Sequence, residues 1–314
     1  MQPKPLHVRT PVFESTILSA QLGKPVFLKM ECYQPVGSFK IRGIGQLCQE
    51  WVASGKRHLV SSSGGNAGYS VAYAGKRLGV QVTVFVPTNT ASVYIDHIRA
   101  EGAEVKIEGD IWDEANKAAQ KYVKKVEGGF VPPFDHPTIW AGHSTLVDEL
   151  VEQCEKPGAI VVSVGGGGLS CGILQGLYRH GWPDVPIFAV ETEGAASFYA
   201  AMQAGKLVTL PGIHTVATTL GVVRVCTELF NWAQKHPITP LVVSDKAAVL
   251  ACRRFVDDHR VLVEPACGAA LSVIYDRAPS LTTAHSLLVI VCGGIGISLA
   301  LLEKYLQQCG QSNS

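Results

Sequence analysis

Short apolar runs of strand length alternate with longer amphipathic stretches along almost the whole chain, and this alternation limits the folds open to it. "KPVFLKM", "RHLVSSS", "VQVTVFVP" and "EVKIEG" read as strands. Between and after them, residues 41–53, "NAGYSVAYAGKRLG", "TASVYIDHIRAEG" and "IWDEANKAAQKYVKKV" read as helices. A second series runs "TIWAGHSTLVDELVEQC" (helix), "GAIVVSVGGGG" (strand), "SCGILQGLYRHG" (helix), "PIFAVET" (strand), "LLVIVCGG" (strand) and "ISLALLEKYLQQ" (helix). Parallel strands need such crossover helices, so the expected class is α/β with two doubly wound, mainly parallel-sheet domains. "GFVPPFDHPTIW", with three prolines, lies between the series and reads as a crossing between domains. The expected division is a large domain over 1–37 and 136–314 and a small one over 38–135, with a ligand cleft between them.

Composition narrows the function. Of 314 residues, 47% are hydrophobic and 17% charged, which suits a compact enzyme with a large core. A formal charge of +1 gives no electrostatic footprint for nucleic acid or an anionic membrane. No apolar run reaches the ~18 residues needed to span a bilayer, and "MQPKPLHVRT" carries no apolar signal region. Nine cysteines without a C-x-x-C pair fit neither a disulfide framework nor a zinc site. Most read as reduced, buried thiols of a cytoplasmic protein.

Ligands in open α/β sheets sit at the carboxyl ends of strands. Four such ends carry unusual residues: "SSSGGNAG" (61–68), "VGGGGLSCG" (164–172), "AVETEGAAS" (189–197) and "IVCGGIGIS" (290–298). Gly165, Gly166, Gly167 and Gly168 leave backbone N–H groups open to an anion at a helix N-terminus, which points to phosphate over a simple turn. The Gly-Lys pairs at 23–24, 55–56, 75–76 and 205–206 continue with Pro, Arg, Arg and Leu, so none is a P-loop. From Gly165 or Gly166 the sixth position of a dinucleotide fingerprint is Ser170 or Cys171. Glu191 could imitate its ribose-binding acid, so a nicotinamide cofactor stays open.

Lys40, in "QPVGSFKIRG", stands between Phe39 and Ile41 at the expected start of a helix. Alone it reads as a surface lysine, and Cys292 alone as a core thiol. A phosphate cup on one element and a positioned amine on another suit pyridoxal phosphate (PLP), which joins to a lysine. An amine beside Phe39 in a dry pocket loses its proton more easily, and Cys292 could face the pyridine nitrogen.

With "GSFKIRG", "SSGGNAG", "SVGGGGLSCG", "GKLVTLP", "LVEPACGAAL" and "IVCGG" in register, the chain resembles the serine/threonine dehydratases of the PLP-dependent tryptophan-synthase-β fold type over nearly its whole length. The resemblance implies that Lys40 carries PLP in the interdomain cleft, with Phe39 against the ring. It implies Asn66 on the 3′ oxygen, Gly165–Gly168 on the phosphate, Thr219 on the other face of the ring and Cys292 at the pyridine nitrogen. Ser63, Gly64, Gly65 and Asn66 would receive the substrate carboxylate. Gly165, Glu191, Ala195, Leu220 and Val222 would hold a potassium-like cation, although Glu191 reads equally as a solvated strand-end acid. A homodimer is implied as well.

The implied reaction is conversion of L-serine to pyruvate and ammonia, and of L-threonine to 2-oxobutanoate and ammonia. Two departures stand out. The family commonly has Ser or Asn and then Asn after Cys-Gly-Gly, where this chain has Ile295 and Gly296. Thr219 occupies a place usually given to a smaller residue. They keep open a PLP-binding protein with little catalysis. Racemisation ranks below elimination because Gly64 stands where racemases place a serine.

Overall fold

The computed structural model describes residues 4–311; residues 1–3 and 312–314, which the large-domain expectation includes, lie outside the described residues. In chain order, β1 (Val12–Glu14), α1 (Thr16–Leu22) and β2 (Val26–Lys29) lead into α2 (Lys40–Ala53). β3 (His58–Ser61), α3 (Asn66–Leu78), β4 (Gln81–Val86), α4 (Ser92–Ala100), β5 (Glu104–Ile107), α5 (Trp112–Lys125) and β6 (Gly129–Phe130) follow. The chain then passes through α6 (Pro137–Gln153), β7 (Ala159–Ser163), α7 (Gly168–Arg179), β8 (Ile187–Thr192), α8 (Ser197–Ala204), α9 (Thr227–Trp232) and β9 (Ile238–Val243). It closes with α10 (Asp245–His259), α11 (Pro265–Tyr275), β10 (Leu287–Ile290) and α12 (Leu299–Gln311).

Two sheets result, as the alternation requires. One has four strands in the order β5-β4-β3-β6, all parallel. The other has six in the order β1-β2-β10-β7-β8-β9, parallel except for β1. β7, β8 and β10 are buried along their whole length, which is why they read as unbroken apolar runs rather than alternating ones. β9 carries Pro240 and stands at the sheet edge, where a missing N–H costs no ladder bond. α11 is buried at every position, so it has no polar face to give a helical period, and the sequence reading passed over it.

α2 packs against both α3 and α6, and so joins the small sheet's helices to the large body. The α2–α6 contact depends on two glycines. A Cβ on Gly43 would stand 2.4 Å from the Ile139 carbonyl oxygen, and one on Gly142 would stand 2.6 Å from the Gly43 Cα. Bare backbone at both positions brings the helices together and fixes where α2 begins, at Lys40. Between α2, the end of β2 and α6 lies a buried charge network. Arg42 holds Glu31 through Nε at 2.6 Å and Nη2 at 2.7 Å, and holds Glu149 through Nη1 at 2.7 Å and Nη2 at 2.8 Å.

Candidate active site

Lys40 is placed by the loop that follows β10. The Phe39 N–H donates to the Cys292 carbonyl at 3.3 Å, the Gly294 N–H donates to the Gly37 carbonyl at 2.8 Å, and Ser38 bridges to Gly293. Gly37 and Gly293 sit at φ 67° and 82°, where a side chain is strained, and a Cβ on Gly293 would also lie 2.2 Å from the Gly37 carbonyl oxygen. The Lys40 Nζ donates to the Pro133 carbonyl at 2.7 Å and lies 5.2 Å from the Phe39 ring centroid. Lys40 is half-buried, with its amine turned inward onto Pro133. Loss of water pulls its pKa down to about 8, with the Cys292 thiol and the Glu264 carboxylate opposing part of that shift.

The glycine cup lies between β7 and α7. Gly167 has φ 91°, and the Cys226 N–H donates to the Gly166 carbonyl at 3.0 Å. Phe134 walls the cup: a Cβ on Gly166 would stand 2.3 Å from its ring, and one on Gly168 would stand 2.6 Å from its carbonyl oxygen. Pro133 accepts from Lys40 and its neighbour Phe134 lines the cup, so two adjacent residues join amine and cup. Both fall in the stretch read from sequence only as a domain crossing. The first N–H groups of α7 have no acceptor within the helix. In the same turn the Ser170 hydroxyl is buried without a hydrogen-bond partner among the described residues.

Asn66 opens α3 at the end of the loop after β3. Its Oδ1 accepts from the Ile295 N–H at 3.1 Å, and its Nδ2 donates to Glu264 Oε1 at 2.9 Å. Thr219 also donates its hydroxyl to Glu264 Oε1. Glu264 is buried, which raises its pKa, while the donors around it favour the charged form. In the loop itself the Gly65 N–H lies 3.5 Å from the Ser63 hydroxyl oxygen, and Ser62 donates to Asn116 at 2.7 Å. Cys292 is buried, and its thiol is held well up by a hydrogen bond with Cys267 and by burial.

Lys40, Phe39, Asn66, Thr219 and Cys292 are thus linked by contacts around one cleft, with the cup beside them. The expected cation set is mixed. Gly165 lies against Leu220, where an added Cβ would be 3.1 Å from the Leu220 Cα, and Ala195 is buried. The Leu220 carbonyl already accepts from the Val222 N–H at 2.7 Å. Glu191 is no solvated acid. It is fully buried and caps α8, accepting from the Phe198 and Tyr199 N–H groups at 2.8 and 2.7 Å, and burial pushes its pKa up to about 7. Among the described residues no cluster of three or more His, Cys, Asp or Glu side chains is arranged to hold a metal.

The sequence reading missed Glu264, Tyr94, Pro133 and Phe134 as site residues. Glu264 carried a partial signal, as an acid placed directly before a largely apolar run that opens with Pro265. Three histidines lie close to these elements. His136 caps α6 through Nδ1, His97 stacks on Tyr69, and His143 lies buried behind Phe39 with ring centroids 5.0 Å apart.

A half-buried lysine at the start of a helix, linked through Pro133 and Phe134 to a glycine cup between a strand and a helix, defines an enzyme that binds a phosphorylated carbonyl cofactor. The chain belongs to the pyridoxal-phosphate dependent enzyme family, whose model matches residues 4–293. It is similar to the human L-serine dehydratase/L-threonine deaminase, at 50% identity over 100% of this chain and 98% of that protein. Among solved structures it is similar to a fungal L-serine ammonia-lyase from Rhizomucor miehei (41% identity, TM-score 0.91, covering 97% of this chain and 99% of that one). It is also similar to maize serine racemase (26% identity, TM-score 0.88, covering 98% and 94%). The cofactor is PLP. The cup, its walls and the unpartnered Ser170 hydroxyl fit a phosphate, and the depressed Lys40 amine fits its carbonyl.

Proposed function

We propose that this chain is a lyase acting on L-serine and L-threonine. It removes the Cα proton and the β-hydroxyl as water, and hydrolysis then gives pyruvate or 2-oxobutanoate and ammonia. The observation that carries this reading is the interior amine of Lys40, with a pKa of about 8, bridged to the glycine cup through Pro133 and Phe134. Bound PLP supplies a covalent link for the substrate amine and an electron sink. Lys40 takes the Cα proton and returns one to the leaving hydroxyl. Ser63, Gly64, Gly65 and Asn66 receive the substrate carboxylate, Gly165–Gly168 hold the phosphate, and Asn66, Phe39, Thr219 and Cys292 border the ring. A monovalent cation beside Gly165 and Leu220 belongs to the same reading.

Purified protein with PLP and L-serine is expected to release pyruvate and ammonia in equal amounts. A visible-edge cofactor band without product would instead leave a binding protein, and D-serine formed as fast as pyruvate would leave a racemase. Residue 64 speaks against the racemase. A Cβ there would stand 2.7 Å from Thr90 Cγ2 and 3.0 Å from Val86 Cγ1, so the position has no room for an added hydroxymethyl group. Overpacking of this kind costs about 1–3 kcal/mol. Gly64→Ser should therefore lower the melting temperature, lower kcat/KM for pyruvate formation by distorting the carboxylate loop, and yield no D-serine by chiral chromatography. Gly64→Ser/Thr90→Ala should recover elimination. D-serine production by the single variant would show that the second face is open.

The reading extends to lobe boundaries near residues 37/38 and 135/136, supported by the continuous run of the small sheet from His58 to Phe130. It also extends to a cytoplasmic homodimer. Nine unpaired thiols suit a reducing compartment, and the dimer rests on the sequence resemblance.

A further inference from the structure

The structure shows what the lack of a side chain at Gly296 admits. Tyr94, on α4 of the small-sheet lobe, reaches across the cleft and donates its hydroxyl to Glu264 Oε2 at 3.3 Å. The Gly296 N–H donates to the same oxygen, also at 3.3 Å. A Cβ on Gly296 would lie 1.9 Å from the Tyr94 hydroxyl oxygen and 2.5 Å from its Cζ, so the tyrosine occupies the volume that a side chain at 296 would take. Tyr94 and Glu264 are 7% and 4% exposed, so the contact is made without competing water. The other Glu264 oxygen holds Asn66 from the small-sheet lobe and Thr219 from the large one.

We infer that Tyr94 and Glu264 form an interlobe clasp, which sets Asn66 and closes the carboxylate loop over the substrate. Tyr94 is a positioning residue. It acts through Glu264 on Asn66, and through closure on substrate affinity. The pairing is steric as well as polar: Tyr94 requires glycine at 296, and a polar residue at 296 requires a small one at 94.

The inference rests on the lyase reading of the same site, so one readout is independent of turnover. Amide hydrogen exchange over residues 293–298 follows the N–H groups of Ile295 and Gly296, which bond to Asn66 and Glu264. Tyr94→Phe, which keeps the ring, should exchange faster there and raise the KM for L-serine by about tenfold, the worth of a hydrogen bond to a carboxylate. Its kcat should change less than its KM, and its melting temperature should hold. Gly296→Asn should be worse, and Tyr94→Ala/Gly296→Asn should return to within about threefold of the parent, since a double substitution reports coupling only when it departs from additivity. Unchanged exchange and KM in Tyr94→Phe, or a double variant no better than Gly296→Asn alone, would overturn the clasp. If the parent forms no pyruvate, the lyase reading fails, and the exchange measurements still decide the clasp.

Discussion

Lys40→Ala is expected to purify without the visible-edge band of covalently held cofactor, even after incubation with PLP, and to lose pyruvate formation by roughly 10,000-fold or more, since covalent attachment and proton transfer are lost together. No neighbour can take over. The other buried amine close to α2, Lys29, is committed to Glu149 at 2.5 Å, to the Thr10 carbonyl at 2.8 Å and to Gln153 at 2.8 Å. His143 is neutral behind Phe39, its pKa lowered by burial and by the charges of Lys40 and Arg42. A structural explanation of the loss can be separated from a chemical one by stability. Burial lowers the Lys40 pKa from 10.5 to about 8, so its protonated form is disfavoured in the folded state. The resulting cost to the cofactor-free protein is full below about pH 8 and disappears as pH rises past 10.5. Cofactor-free Lys40→Ala should therefore melt no lower than the cofactor-free parent at pH 7, and should lack the parent's relative gain in stability on going to alkaline pH. Retained elimination in this variant would remove Lys40 from the chemistry.

One part of the site stands out in the sequence because its backbone has to do something a side chain would prevent. The run Gly165–Gly168 stands out because a simple turn needs fewer glycines, whereas the loop Ser63–Asn66 gains its role from the family resemblance. The structure gives the cause in the collisions a Cβ would make with Phe134 and Thr90. The fold was legible because crossover helices with one polar face leave a periodic trace. α11 and the pair Pro133–Phe134 left none. The helix is apolar all round, and the pair sits in a proline-rich connection whose value lies in what it touches, 93 residues along the chain from Lys40. The clasp was invisible for a related reason. Its sequence mark is the missing side chain at Gly296, and the side chain that fills that space comes from α4, some two hundred residues earlier. Glu191 shows the limit of reading an acid at a strand end as solvated: it is fully buried, and the first N–H groups of α8 donate to both its oxygens.

Arg42→Met is expected to cost the largest share of stability of any single change that leaves the cofactor's contacts intact. Arg42, Glu31 and Lys29 are fully buried, and Glu149 is nearly so. Burial by itself would raise the pKa of Glu31, but the charge and hydrogen bonds of Arg42, with a further bond from Thr10 at 2.6 Å, hold it below the ordinary value. Replacing a whole buried ion network by apolar groups can be neutral, but removing one member strands the others, at about 3–5 kcal/mol. Met matches much of the arginine's length and leaves two carboxylates facing one lysine. Urea unfolding of the PLP-bound protein at pH 7 should show that loss, and Arg42→Met/Glu31→Gln should recover part of it by removing the stranded charge. The sign with pH follows from Glu31. Because its folded pKa is depressed, its contribution is complete above the unfolded carboxylate value and fades as pH falls through the folded one, so the parent should lose stability in acid more steeply than Arg42→Met. The network also ties the Thr10 segment, the end of β2 and α6 to the first turn of α2, two residues from Lys40, so the variant that still folds should bind L-serine more weakly. A loss below about 1 kcal/mol, within the range of an exposed pair, would mean that the Gly43–Gly142 contact alone holds α2 in place.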